Sequence, residues 1–181
     1  GLGVSFGAGL TNVTLAYIAS SLMSFSIGRG GDWVDEQAAK STGLTKERVT
    51  ATKEKISSLN NKVTVGSPEG ALNIYYDALI SYAIEHIKKR LAHISPPDVA
   101  FPVAVAGGSS LPKGFFELFQ KKITNAKLGI ELSKIVRAKD PLNSVARGCL
   151  IAAQTQEAQP KKTQQQTQTQ TTKGKTKKGK K

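Results

Sequence analysis

The chain has 181 residues, is 39% hydrophobic, and carries a formal charge of +13 with a single cysteine. One cysteine excludes an intramolecular disulfide and fits a reducing, cytosolic setting. No apolar stretch approaches the roughly 20 residues that a membrane-spanning helix needs, and no basic n-region precedes an apolar run at the start, so no signal peptide is expected.

The charge is unevenly spread. In 155–181, eight lysines stand against one acid, Glu157, in a stretch built almost wholly of Gln, Thr, Lys and Gly. Such a composition buries too little apolar surface to offset its ordering entropy, so this tail is expected to be disordered. No aromatic residue lies within the lysine run to stack on bases. The tail reads first as a solubilising segment and second as a weak, salt-sensitive contact for nucleic acid or an anionic membrane. Residues 1–154 are then one folded unit.

Three runs rich in Val, Leu, Ile and Phe open that unit at 2–6, 12–18 and 22–27, and their short links favour antiparallel neighbours. Asp32, after the Gly30-Gly31 break, is a good N-cap for a helix to about 42. A weaker start at Thr45 suggests a second helix to about 59, and 60–66 reads equally as a strand or a loop. Ser67-Pro68-Glu69 combines an N-cap, a first-turn proline and an early acid, opening a long helix that Pro96-Pro97 should end. His86 and His93 both fall on it, seven apart, short of the three or four convergent ligands that a metal site needs.

A continuous apolar run at 101–106 reads as a strand covered on both faces. Gly107-Gly108-Ser109-Ser110 turns into a helix at about 112–124, followed by a strand at 131–136 and a helix at 141–153. Cys149, inside the apolar stretch 146–153, reads as a small core residue. The fold class is α/β, a mixed sheet in the order βββα, helical insert at 43–66, then αβαβα.

Two glycine turns directly follow apolar strands, Gly7-Ala8-Gly9 and Gly107-Gly108, and Gly30-Gly31 precedes a helix. Glycines there let a backbone approach a phosphate and expose N–H donors. The G-x-x-x-x-G-K-[ST] phosphate loop is absent. Trp33, beside a helix start, reads as a packing residue.

Four segments carry a specific resemblance. Val4-Ser5-Phe6-Gly7-Ala8-Gly9-Leu10-Thr11-Asn12-Val13 resembles the second phosphate loop of the actin and heat-shock-chaperone superfamily. Gly30-Gly31-Asp32-Trp33-Val34-Asp35 is similar to the Gly-Gly-acid-x-x-Asp that follows it there. Val105-Ala106-Gly107-Gly108-Ser109-Ser110-Leu111-Pro112-Lys113 resembles the adenosine motif, in its chaperone version. Lys139-Asp140-Pro141-Leu142 with Val145-Ala146-Arg147-Gly148 looks like the C-terminal segment of MreB-like bacterial actins.

The resemblance implies the C-terminal lobe of an actin-like (ribonuclease H-like) ATPase that holds ATP or ADP with Mg²⁺. Gly7, Ala8 and Gly9 would meet the phosphates, with Thr11 nearby. Gly30 and Gly31 would approach sugar and phosphates, and Gly107, Gly108 and Ser109 would line the adenosine. A Glu and a Lys from the second subdomain reach the nucleotide in that family; here Lys53 or Lys55 supplies the Lys, and Thr52 stands where the Glu is expected.

Ser5 replaces the family's usual Asp, which weakens the Mg²⁺ contact, since a hydroxyl brings no charge. The implied partners are a first lobe, absent from this chain, and further copies in a filament. The role implied is a cytoskeletal or nucleotide-switched assembly protein. The alternatives are a chaperone-type ATPase, or a scaffold in which hydrolysis has decayed.

Overall fold

A computed structural model describes residues 1–18, 20–55, 58–59, 64 and 66–157. Alternation sets the sheet. In β1 (Leu2–Phe6), Leu2, Val4 and Phe6 are buried while Gly3 and Ser5 are not, the period-2 pattern of a strand with one covered face. β2 (Thr11–Tyr17) and β3 (Ser20–Ile27) follow as antiparallel neighbours. β4 (Phe101–Ala106) pairs parallel with β1, and β5 (Leu132–Arg137) parallel with β4, giving the order β3-β2-β1-β4-β5. Val4 sits opposite Val13 on one side and Val105 on the other, so three buried valines align across the centre.

The helices are α1 (Gly31–Thr42), α2 (Lys46–Lys55), α3 (Pro68–Leu91), α4 (Phe115–Asn125) and α5 (Ser144–Glu157). Helix α3 begins as its sequence foretells: Ser67 accepts a hydrogen bond from the Gly70 N–H at 3.0 Å, with Pro68 in the first turn. Its inward face, Leu72, Tyr76, Leu79, Ile80, Ala83, Ile84 and Ile87, joins the inward sheet residues in one core. Phe115 of α4 meets Phe6 edge-on at 5.0 Å and Tyr76 at 5.8 Å, knitting strand, α3 and α4. Lys122 adds an ion pair to Asp77.

Several expectations are corrected. Asp32 is not the N-cap of α1; Gly30 is, in an extended conformation, and Asp32 is the second helical residue, where its charge still suits the dipole. Helix α3 stops at Leu91, before Pro96-Pro97. The Ala92 N–H returns to the Lys88 carbonyl, and those of His93 and Ile94 reach back only three residues, tightening the end into a turn. His93 therefore lies off the helix that carries His86.

Strand β4 is covered on one face only, for Pro102 and Ala104 are exposed. These small apolar side chains lie on the sheet face that also carries Gly3, Ser5, Asn12 and Thr14. Helix α5 is not packed on that face. Residues 145–155 are exposed, including Val145, Leu150, Ile151 and Cys149, so Cys149 is no core residue. The helix runs on to Glu157, past the expected boundary at 154, and 158–181 lie outside the described residues, as does most of 60–66.

Candidate functional site

The site forms at the C-terminal ends of the parallel strands β1 and β4, where each runs into a glycine turn. The turn after β1 is closed by the Gly7 N–H donating to the Leu10 carbonyl at 2.9 Å. Its two carbonyls point the other way: Gly7 O accepts from the Gly31 N–H at 3.0 Å, and Ala8 O from the Asp32 N–H at 2.9 Å. These carbonyls cap the first two amides of α1, which has no side-chain cap.

The turn after β4 needs its first glycine. Gly107 has φ +91°, and a Cβ there would lie 2.2 Å from the Phe6 carbonyl oxygen. The next residues form a single 3₁₀ turn, Gly108–Ser110, held by Ser110 Oγ donating to the Gly107 carbonyl at 2.7 Å. Ser109 Oγ then donates to the Gly7 carbonyl at 2.8 Å, joining the two glycine turns. Gly31 closes the same corner, because a Cβ on it would stand 2.3 Å from Ser109 Oγ.

These turns open onto a cavity of about 550 Å³, a size suited to a small organic ligand. Ala8, Gly31 and Asp32 line it from the first turn and the start of α1, and Gly108, Ser109, Leu111, Pro112 and Lys113 from the second turn and the chain after it. Helix α2 contributes Lys53 and Glu54, and α3 contributes Tyr76. The Tyr76 ring is buried, which pushes its phenol well above the ordinary value, and the Asp35 carboxylate adds to the effect. Lys53 Nζ donates to Asp35 Oδ2 at 2.6 Å, and Thr50 Oγ1 donates to the same oxygen at 2.9 Å.

Of the residues singled out from sequence, Ala8, Gly31, Lys53, Gly108 and Ser109 line the cavity. Gly7 and Gly30 stand behind the Ala8 wall, Gly107 behind Gly108, and Gly9 is exposed at the turn tip. Thr11 is buried and donates its hydroxyl to the Arg29 carbonyl, bracing β2 against the chain leaving β3. Of the two lysines, Lys53 lines the cavity, while Lys55 is exposed and not among its lining residues.

Thr52 is not the acidic position either. Its hydroxyl donates to the Arg48 carbonyl, and the acids that line the cavity are Asp32 and Glu54. Glu54 and Tyr76 were missed from sequence, the first inside a charged run, the second among the apolar positions of α3. The only signal for Glu54 was its place beside Lys53. Ser5 lies on the uncovered sheet face, paired with Asn12 and Ala106, and does not line the cavity. Trp33 packs edge-on to Tyr75 with the Arg29 guanidinium over its ring.

Residues 1–153 match the family model described as Volactin. No curated protein sequence matches the chain. Many solved structures share its fold, three of them as follows. The ethanolamine utilization protein EutJ from Carboxydothermus hydrogenoformans aligns at TM-score 0.57 and 20% identity, covering 79% of this chain and 46% of that one. The MamK double helical filament aligns at TM-score 0.67 and 21% identity, covering 84% and 54%. A non-polymerising MamK mutant bound to AMPPNP aligns at TM-score 0.63 and 21% identity, with the same coverage. The chain has the actin-like ATPase fold and spans about half the length of these structures.

Proposed function

The chain belongs to the Volactin family, and from its fold and the geometry of the cavity we propose that it supplies one wall of an adenine-nucleotide site in an actin-like, nucleotide-switched assembly protein. One observation carries the reading: two glycine turns, bolted together by Ser109, share a single cavity with a lysine and a glutamate from α2. The turns allow close backbone approach of a large planar or anionic group. Lys53 offers a cation for phosphate, and Glu54 accepts from ribose or base donors. Leu111 and Pro112 give apolar surface for a ring. The Ala8 and Gly9 amides donate to no carbonyl among the described residues, which leaves them for phosphate oxygens.

An adenine nucleotide therefore fits the residues present. ATP would supply its own phosphoanhydride chemistry; this chain's part is to bind and orient it. Mg²⁺ is another matter. No group of three or more His, Cys, Asp or Glu able to hold a metal occurs among the described residues. Magnesium keeps several waters and enters on phosphate oxygens in such sites, so no step is assigned to it here.

The solved MamK assembly is a filament, and the mutant MamK was captured with AMPPNP. Together with the shared fold, these favour self-assembly controlled by nucleotide for this chain. The remaining wall of the site would come from a second lobe. The bare sheet face and the exposed Leu142, Val145, Leu150 and Ile151 favour such a partner. The second reading is a scaffold that retains binding without hydrolysis; it is favoured by Ser5, which stands where the resemblance leads one to expect a carboxylate. A chaperone-type ATPase rests only on the form of the 105–113 segment.

Calorimetric titration with ATP, ADP and inorganic phosphate tests the reading. Saturable binding of ATP and ADP, weakened in Lys53→Met, is expected; no saturable binding would reject it. The lysine-rich tail is proposed to add salt-sensitive polyanion binding. Truncation after Glu157 should remove that and leave ATP affinity unchanged.

A further inference from the structure

The segment that begins α1 carries a second acid, Asp35, to which the nucleotide reading gives no part. Asp35 is 1% exposed and is the only charged residue among the buried polar ones described. Its Oδ2 holds Lys53 Nζ at 2.6 Å and Thr50 Oγ1 at 2.9 Å, while its buried Oδ1 has no hydrogen-bond partner among the described residues. Both donors come from α2, so one oxygen of α1 ties that helix to the sheet domain.

A buried carboxylate is tolerated when a cation is paired with it in good geometry. Here the cation also lies at the cavity: the Lys53 side chain is 18% exposed and lines it. A Cβ placed on Gly31 would stand 3.5 Å from Lys53 Nζ and 2.3 Å from Ser109 Oγ. The amine is therefore held in the corner where the two glycine turns meet. A free lysine head samples many rotamers on its four-carbon stem, and this one has a fixed place.

We propose that Asp35 is a positioning residue: it holds the Lys53 amine at the Gly31–Ser109 corner, so that an anionic ligand entering the cavity meets a cation already oriented. The inference rests on the nucleotide reading for the identity of the ligand, and on the Asp35–Lys53 geometry alone for the positioning. Thr50, the other donor to Oδ2, fixes the carboxylate rotamer. Lys55, two residues on and exposed, has no such partner among the described residues and serves as an internal control.

Two measurements on the full chain test it. The first is pulse acetylation with a succinimidyl ester, read by peptide mass spectrometry at Lys53 and Lys55. Lys53 should react several-fold more slowly than Lys55 in the wild type. Asp35→Asn should bring it close to the Lys55 rate, with Lys55 itself unchanged, and Thr50→Val, which loosens the carboxylate, should speed Lys53 by a smaller factor. Equal reactivity of the two lysines in the wild type would overturn the proposal without any variant having to fold. An Asp35→Asn protein that folds yet keeps Lys53 slow would overturn it too.

The second is ATP titration of Asp35→Asn, Lys53→Met and the double variant. Asp35→Asn should weaken binding several-fold in the wild-type background and not at all in Lys53→Met. Losses that simply multiply would mean that Asp35 acts through the fold rather than through Lys53. If the wild type binds no ATP, the nucleotide reading fails, and the labelling experiment still decides whether Asp35 holds Lys53.

Discussion

Ser109 Oγ donates to the carbonyl of Gly7 across 2.8 Å, joining turns that lie 102 residues apart in the chain. That hydroxyl is a direct polar bond between the two glycine turns, and it lies within the space a side chain on Gly31 would need. Ser109→Ala removes it and leaves the Gly7 carbonyl with only the Gly31 amide. The expected cost is about 1 kcal/mol of stability, seen as a lower midpoint in thermal or urea unfolding. Nucleotide affinity should fall as well. Unchanged affinity would mean that the two turns are held together by other contacts.

Gly107 and Gly9 make a sharper pair. Alanine at Gly107 would adopt φ +91° and place its Cβ 2.2 Å from the Phe6 carbonyl, so Gly107→Ala should cost roughly 2–3 kcal/mol or more. Alanine at Gly9 meets nothing within 4 Å, so Gly9→Ala should leave stability within about 0.5 kcal/mol of wild type. Denaturant titration of the two variants side by side checks both.

Tyr76 makes stability depend on alkali. Its phenol ionises at a higher pH in the folded chain than the ordinary 10.0, because burial disfavours the phenolate and the Asp35 carboxylate repels it. A raised folded value means that the neutral phenol's contribution is intact below pH 10 and is lost as pH rises above it, since the unfolded chain ionises first. Tyr76→Phe should flatten the fall in stability above pH 10 and change little at neutral pH, apart from any loss at the cavity itself. Unfolding midpoints measured from pH 8 to 11 test this.

Ile151 is 64% exposed on α5 and touches no core. Ile151→Ser should therefore leave the unfolding midpoint unchanged, a shift within about 0.5 kcal/mol. If α5 is a contact for a second lobe or another copy, the same change should weaken association, read by sedimentation velocity. A large loss of stability in the isolated chain would show that α5 packs where it is described as exposed.

Much of the fold was legible because hydrophobic periodicity reports directly on burial. The bounds of β1 and β4 were read as 2–6 and 101–106, which are the observed strands. What failed was the partner of an apolar surface. Pro102 and Ala104 extend an apolar run yet face outward, and 146–153 looks like core although nothing described covers it. Periodicity says which side is apolar, not what lies against it.

The site divided in the same way. The glycine turns stand out because their backbone geometry restricts residue type, and Ala8, Gly31, Gly108 and Ser109 lie at the cavity. Tyr76 was hidden because a cavity-lining tyrosine and a core tyrosine occupy the same helical phase. Glu54 was hidden because α2 is charged on most sides and only Val49 is buried. Asp35 looked like one more acid early in a helix; its burial and its grip on Lys53 depend on α2 folding back over α1, which no local pattern encodes.

The most direct test of the central claim is photolabelling with 8-azido-ATP, competed by ATP and followed by peptide mapping. The account predicts saturable labelling in the peptides that carry Lys53–Glu54 and Gly108–Lys113, suppressed by ATP and reduced in Lys53→Met. Labelling confined to the lysine-rich tail, or labelling that ATP does not compete, would contradict it.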